Sequence, residues 1–328
     1  MSKHRKIQPV TEGEYLKCNE WNRMILEEFL QQSHFSEHSV KQYRSAGRIF
    51  LRFIHDRFDN IPIHSLKPRH GMLYQNWLDG LGLSSSAVRF RRSLVSSMSN
   101  YIELYYGEDF PLFRNIFSKA TPQIPQNRVR EKVPLTMDEW NNLIKTLKEQ
   151  GETQMLAYVL FSYYSSARRS EVSQLRVEIA NYEQVKDPVS GEKLGYYETH
   201  PVRTKGRSKV GNVRSLQFND IVKDAIQTWL TERGQDDCEA VFVRKFKDGK
   251  VEALQPSTFN DWCSGKLSEI VGREIYPHLF RSTRATHLVV YEGKDISIAQ
   301  DLLGHQSSET TSIYVVNPNA NKVRGAFE

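Results

Sequence analysis

His278-Leu279-Phe280-Arg281-Ser282-Thr283-Arg284-Ala285-Thr286 is the stretch from which the rest of the chain is read. It sets a histidine one helical turn before an arginine, at the start of a segment whose spacing predicts a helix over 281–291. Upstream, Ser166-Ala167-Arg168-Arg169-Ser170-Glu171 puts a second arginine one turn before an acid, and Lys205 opens a basic turn. Downstream come His305 and, nine residues later, Tyr314. Two arginines, a lysine and two histidines gathered near a phenol suit one task, holding a phosphodiester while the phenol attacks it. Attack concentrates negative charge on the non-bridging oxygens, and a site without a divalent metal must meet that charge with fixed cations. Arginine does this best, because its planar fork binds two oxygens and stays charged. Taken singly, each residue also fits a structural role: an arginine in a surface ion pair, a lysine in a solvated loop, a histidine or tyrosine in packing.

Outward from these motifs the elements are mostly helical. Behind Ser36, a good N-cap, Val40, Tyr43, Phe50, Leu51, Ile54 and Phe58 recur at helical spacing, and a second helix runs from Ser84 to near Gly107. Shorter helices over 21–31 and 72–81 complete a four-helix first domain. Between Lys119 and Leu135, Pro122, Pro125 and Pro134 alternate with Arg128, Arg130 and Lys132, which reads as an extended linker or, with its cations, a segment lying along phosphates. Beyond it, Thr136 and Glu139 form a capping box opening a helix through Leu147, and an apolar helix covers 155–164. Residues 196–204 and 212–218 read as a β-hairpin with Lys205, Arg207 and Lys209 at its tip. Everything later reads as helix: 221–230, 256–271, 281–291, 296–303 and a short stretch ending around Tyr314. The fold class expected is therefore mainly α with a small β-sheet (α+β), divided into residues 1–118, a linker over 119–134, and 135–328.

A length of 328 residues favours two domains, and a net charge of +6 is compatible with a polyanionic partner or with a basic soluble surface. The longest apolar stretch, Leu156 to Tyr164, falls well short of the roughly 20 residues that span a bilayer. The basic, polar start lacks the apolar core of a secretory signal, so a cytoplasmic, nucleoid-associated location without membrane contact is expected. Cys18, Cys238 and Cys263 are too few and too dispersed for a disulfide framework or zinc cluster. His34 and His38 have metal-like spacing but no third ligand nearby, and they are assigned structural roles with His287. Gly206 to Gly211 imitates part of a phosphate loop, but Asn212 and Val213 follow where a lysine and a hydroxyl are required, so no nucleotide site is inferred. No cofactor and no metal is expected.

In order and spacing, these boxes resemble those of the tyrosine recombinases, the phage-integrase superfamily. Ser166 to Glu171 resembles the first signature box, His278 to Thr286 the second, and Leu303-Gly304-His305 with Tyr314 the closing one, while Lys205-Gly206 sits where that family keeps its lysine. Two departures stand out: Ala167 follows Ser166 where the family often has glycine, and Arg169 and Arg284 replace usual apolar residues, with Arg169 a point of perturbed packing. The resemblance implies a helical core-binding domain and a catalytic domain closing as a clamp on duplex DNA. Tyr314 would be the nucleophile, Arg168 and Arg281 the phosphate clamp, and Lys205 the general acid. His278 would accept the phenol proton or bond the phosphate, His305 would bond a non-bridging oxygen, and Glu171 would orient the arginines.

Arg89, Arg91, Arg92, Arg128, Arg130, Lys132, Arg207 and Lys209 would contact DNA phosphates. A homotetramer on paired sites, with a dimer per site, is implied, and accessory DNA-bending proteins are candidate partners. The short segment before the first expected helix points to a Xer-like or mobile-element branch rather than an integrase with a further arm-binding domain. Two rival readings are a type IB topoisomerase, which relaxes supercoils through the same nucleophile, and a DNA-binding regulator that kept the fold without the chemistry.

Overall fold

Serine caps fix where the long N-terminal helices begin. The computed structural model describes residues 7–117, 122–124, 133–204, 212–304, 311–312 and 315, and these fall into two units, one up to residue 124 and one from 133 onward. In the first unit α1 spans Glu12–Lys17, α2 Glu20–Leu30, α3 Glu37–Arg57, α4 Pro68–Gly80 and α5 Ser85–Tyr105. Ser36 Oγ accepts from Ser39 N and Ser84 Oγ from Ala87 N, each at 3.2 Å, pairing donors that a helix start leaves open. Ile25, Leu26, Phe50, Leu51, Ile54, Tyr74, Leu78, Val95 and Ile102 form the buried centre. α4 starts four residues before the expected Met72, because Pro68 at its first turn has no N–H to leave unpaired. The expectation of a first helix near Trp21 is corrected by α1. That short helix is held by the Thr11–Glu14 capping box, by ion pairs from Glu12 to Arg48 (2.7 Å) and Glu14 to Arg52 (3.5 Å), and by Tyr15 packed 4.0 Å beneath the Arg48 guanidinium.

The second unit is built on α6 (Met137–Glu149), α7 (Thr153–Tyr164) and the four-residue α8 (Arg169–Val172). Then come β1 (Tyr197–Glu198), β2 (Val202–Thr204), β3 (Asn212–Arg214), β4 (Gln217–Phe218) and α9 (Asp220–Arg233). β5 (Val243–Lys245), β6 (Val251–Ala253), α10 (Pro256–Trp262), α11 (Ser268–Val271), α12 (Pro277–Thr286) and α13 (Ile296–Leu303) follow. α7 is apolar around most of its circumference and accordingly central, with Ala157, Tyr158, Val159 and Phe161 fully buried and α6, α9 and α12 packed around it. The strands pair antiparallel, β1 with β4, β2 with β3 and β5 with β6. The chain is thus mainly helical with small sheets. Among the described residues no helix is long and apolar enough to cross a membrane.

Two sequence expectations for the later part are corrected. The segment after α9 is not wholly helical: β5 and β6 form a hairpin turned at Asp248-Gly249, where Gly249 adopts φ 83° and donates its N–H to Phe246 O at 3.1 Å. The helix expected over 256–271 is broken by a wide turn at Cys263–Leu267, whose Gly265 leaves helical geometry at φ −94°, ψ −111°.

The chain entering this unit is fastened to α12. Leu135 N donates to Thr283 Oγ1 at 3.0 Å, and His287, just past α12, meets Leu135 O at 2.8 Å through Nε2. A carbonyl only accepts, so Nε2 carries the proton, and Nδ1 accepts from the Tyr163 hydroxyl at 2.7 Å. Arg273 adds a second fastening, donating to Val133 O, Pro134 O and both oxygens of Glu139 at 2.7–3.0 Å. Burial holds His287 below its ordinary value of 6.5, and its ring is fully enclosed as the neutral tautomer. Below about pH 6.5 the unfolded chain therefore takes up a proton that the folded state refuses, so the stabilisation present above that pH declines on acidification. Urea midpoints at pH 7.5 and 5.5 are expected to differ, with the lower value at pH 5.5, and His287→Gln is expected to narrow that difference while lowering the midpoint at pH 7.5.

Candidate active site

Glu171, at the third position of α8, is fully buried, and its carboxylate anchors the local geometry. Its Oε2 accepts from Arg168 N at 2.9 Å and its Oε1 from Arg168 Nη1 at 2.8 Å. A second guanidinium, that of Arg214 at the end of β3, donates from Nη2 to Oε2 at 3.2 Å. Burial alone would push the Glu171 carboxyl up, but the Arg168 N–H and the Arg214 and Arg168 guanidiniums outweigh it and hold the pKa below the ordinary carboxylate value. Arg168 keeps 29% of its side chain exposed, so one face of this cation is open to a ligand while the other is fixed.

Arg281 is fixed differently. It lies in the second turn of α12, fully buried, and donates from Nη1 to Ser166 O at 2.5 Å and from Nη2 to Leu303 O. One side chain thus joins the carbonyl two residues before Arg168 to the carbonyl two residues before His305. Ser166 presents its carbonyl from a left-handed backbone, φ 50°, at a cost of about 1 kcal/mol for a residue with a Cβ. The conformation that favours glycine therefore sits at Ser166, one residue before the Ala167 departure. His278 occupies the first turn of α12, partly exposed, one turn before Arg281 and next to Pro277.

Gly304 caps α13 with φ 60°, and a Cβ there would lie 2.2 Å from Arg214 Nη1. The glycine of the Leu303-Gly304-His305 box is therefore favoured by its backbone conformation, and a side chain there would also displace the guanidinium lying against it. The structure thereby joins Arg168, Glu171 and Arg281 with Leu303 and Gly304, the two residues before His305. Lys205, His305 and Tyr314 lie outside the described residues, although Thr311 is fully buried and Val315 packs against Ala285, Leu288, Ala299 and Leu303.

Other expectations separate in the same way. Arg89 is exposed and lines an open cleft of about 480 Å³ with Arg92, Ser93, Ser96, Phe117 and Gln123. Arg91 turns back to Ala87 O at 3.1 Å. Arg92 donates to Gln75 Oε1 (3.0 Å) and Pro122 O (3.1 Å) and lies over Phe117. Two of these three arginines are therefore engaged by protein groups. Arg128, Arg130, Lys132, Arg207 and Lys209 fall outside the described residues. Arg169 is exposed and disturbs no packing, and Arg284 is accommodated over the Tyr163 and Tyr164 rings with an ion pair to Glu292 at 2.5 Å.

Two residues absent from the sequence reading complete the site. Arg214 is one. The other is Gln174, whose amide accepts from Arg203 N (2.9 Å) and donates to Arg203 O (3.0 Å), so that it pairs with β2 as a strand would. Neither carried a local sequence signal: the pairing that sets Arg214 opposite Val202, and the one that sets Gln174 against β2, appear only in the folded register.

Residues 134–320 match the phage integrase family. The chain is 30% identical to the SPbeta prophage-derived recombinase-like protein YomM of Bacillus subtilis (strain 168), over 94% of this chain and 90% of that protein. It is also 30% identical to the tyrosine recombinase XerA of Pyrococcus furiosus, over 88% of each. Among solved structures, the XerH site-specific recombinase bound to palindromic difH substrate superposes with a TM-score of 0.70 at 14% identity, covering 98% of both chains. The Tn1549 transposon integrase in complex with transposon right end DNA does so at 0.66 and 15% identity, over 94% of this chain and 98% of that one.

Glu171→Gln removes the charge that two guanidiniums share in a fully buried position, and is expected to lower unfolding free energy by about 3 kcal/mol in urea titrations. Gly304→Ala is expected to cost at least about 1 kcal/mol in the same measurement, from the left-handed backbone alone.

Proposed function

Because the chain belongs to the phage integrase family, the tyrosine recombinases, we propose that it recombines DNA site-specifically by cleaving and rejoining strands through a 3′-phosphotyrosyl intermediate, without metal or ATP. One observation carries the reading best: the Arg281 guanidinium bridges the main chain beside Arg168 to the main chain beside His305, so three separate motif segments form one cationic assembly. Such an assembly suits a phosphate whose charge grows during attack. The N-terminal turn of α12, which carries His278, adds the positive end of its backbone dipole.

In this reaction the Tyr314 oxygen forms a bond to phosphorus as the bond from phosphorus to the 5′ oxygen breaks. His278 takes the phenol proton, and Lys205 gives a proton to the departing 5′ oxygen. Arg168 and Arg281 bind the non-bridging oxygens, His305 adds a hydrogen bond, and Glu171 orients Arg168. The phosphotyrosyl ester retains the energy of the broken phosphodiester, so a 5′ hydroxyl from another strand reverses the step with no nucleotide consumed.

Residues 1–118 serve as core-binding domain, 119–134 as linker and 135–328 as catalytic domain, and the two domains close as a clamp on duplex DNA. The DNA-bound structures of XerH and the Tn1549 integrase, which share the fold, support that partner. Arg89, Arg128, Arg130, Lys132, Arg207 and Lys209 contact phosphates, while Arg91 and Arg92 shape the surface from which Arg89 projects. Assembly is a tetramer on two sites with a dimer on each, aided by DNA-bending proteins, in the cytoplasm on the nucleoid.

A nicked suicide substrate carrying the target site is expected to trap a covalent protein–DNA adduct with the parent protein and none with Tyr314→Phe. Arg168→Ala is expected to slow adduct formation by at least about 100-fold, the scale of one lost oxyanion donor. A two-site plasmid that is relaxed but yields no exchanged products would overturn recombination in favour of a topoisomerase. Deleting residues 317–328, which carry Val323 and Phe327, is expected to leave single-site DNA binding intact and to reduce synapsis in a gel assay.

A further inference from the structure

The inward face of the β2–β3 hairpin carries a charge where packing would ordinarily place an apolar residue. In this antiparallel pair Val202 stands opposite Arg214 and Arg203 opposite Val213, and directly opposed residues share a face. Val202 is buried while Val213 is 59% exposed, so β3 turns its valine outward and its arginine inward. Arg214 reaches Glu171 Oε2 at 3.2 Å, and its Nη1 lies 2.2 Å from where a Cβ on Gly304 would stand, so a side chain there would push the guanidinium aside. The same hairpin is held to the segment after α8 by the paired bonds of Gln174 to the Arg203 backbone. Lys205 follows Thr204, the last residue of β2, and His305 follows Gly304.

We propose that Arg214 is a positioning residue for strand cleavage: it holds β2, the strand that leads in sequence directly into Lys205, in register with the Arg168–Glu171 turn and with the end of α13. The inference rests on the reading of Lys205 as general acid. A charged fork suits this position better than an apolar residue, because one planar group meets a buried carboxylate at its tip and a glycine surface on its flank. Loss of the fork frees the hairpin from Glu171 while Arg168 keeps both of its own bonds to that carboxylate. The defect therefore falls on protonation of the leaving 5′ oxygen rather than on binding of the phosphate, and a misplacement of about 1 Å is enough to cost up to roughly 100-fold in rate.

The test uses the full-length protein and two nicked suicide substrates, one with the normal 5′ oxygen at the scissile bond and one with sulfur in its place. A 5′ thiolate departs without a proton, so that substrate needs no general acid. Arg214→Ala is expected to form the covalent adduct at least tenfold more slowly than the parent on the oxygen substrate and within about threefold of it on the sulfur substrate, with DNA affinity within about threefold in gel titration. Lys205→Ala is expected to show the same contrast, and Arg214→Gln, which keeps hydrogen bonding and most of the volume, a smaller one should Arg214→Ala fail to fold. Equal slowing on both substrates, or no slowing on either, overturns the role of Arg214. An absence of adduct from the parent protein on both substrates overturns instead the proposed reaction on which it rests.

Discussion

A carboxylate with no exposed surface, Glu171, is the constraint on which the local architecture of the candidate site depends. Burying an unpaired charge costs several kcal/mol, so its surroundings must supply donors or the fold must rearrange. Here one backbone N–H and two guanidiniums do so, and each comes with a geometric consequence. The N–H fixes the start of α8, the Arg168 fork is aimed from that start, and the Arg214 fork ties in a hairpin forty-three residues further along the chain. Two cations around one anion also leave net positive charge, which is the electrostatic condition for receiving a phosphate.

Arg281 meets the same difficulty by another route. A fully buried guanidinium is held there by carbonyl dipoles of Ser166 and Leu303, which orient it without neutralising it. This explains why backbone conformation matters so much in a site whose chemistry belongs to side chains. Ser166 accepts a left-handed φ to aim its carbonyl, and Leu303 offers its carbonyl at the end of α13, where the last helical carbonyls have no partner within the helix. The strain at Ser166 and the glycine at 304 are two sides of one requirement, that short turns bring their carbonyls to a common cation.

What the sequence disclosed follows from how far each signal reaches. Ser36, Ser84 and Thr136 act on N–H groups three residues away, so the starts of α3, α5 and α6 were legible from local pattern. The box containing Arg168 and Glu171 was legible for the same reason. Arg214 was not, because its partners lie forty-three residues before it and ninety residues after it. Gln174 was hidden likewise, since an amide completing a strand edge leaves no periodicity. α1 is too short to show a hydrophobic stripe, and its capping box is followed by contacts to α3 rather than by an apolar run. The hairpin of β5 and β6 did carry a signal, Asp248-Gly249, outweighed by the helical spacing on either side.

The distribution of rigidity in the second unit bears on how such a site keeps its geometry. The central, most buried helix, α7, carries none of the candidate catalytic groups but ends at Tyr164, immediately before the turn through Ser166 to Arg168. α12 carries two of them, and the same helix accepts the entering chain at Thr283 while His287, just beyond its end, secures Leu135 and Tyr163. The core thus fixes the ends of the segments rather than the reactive residues themselves, and side-chain to backbone bonds carry that order the last few ångströms. A small loss of core packing would be shared among many contacts, whereas loss of one such bond removes the sole link it supplies. Site geometry in this fold is accordingly more sensitive to single polar substitutions at Arg214, Gln174 or Glu171 than to conservative changes in the apolar centre.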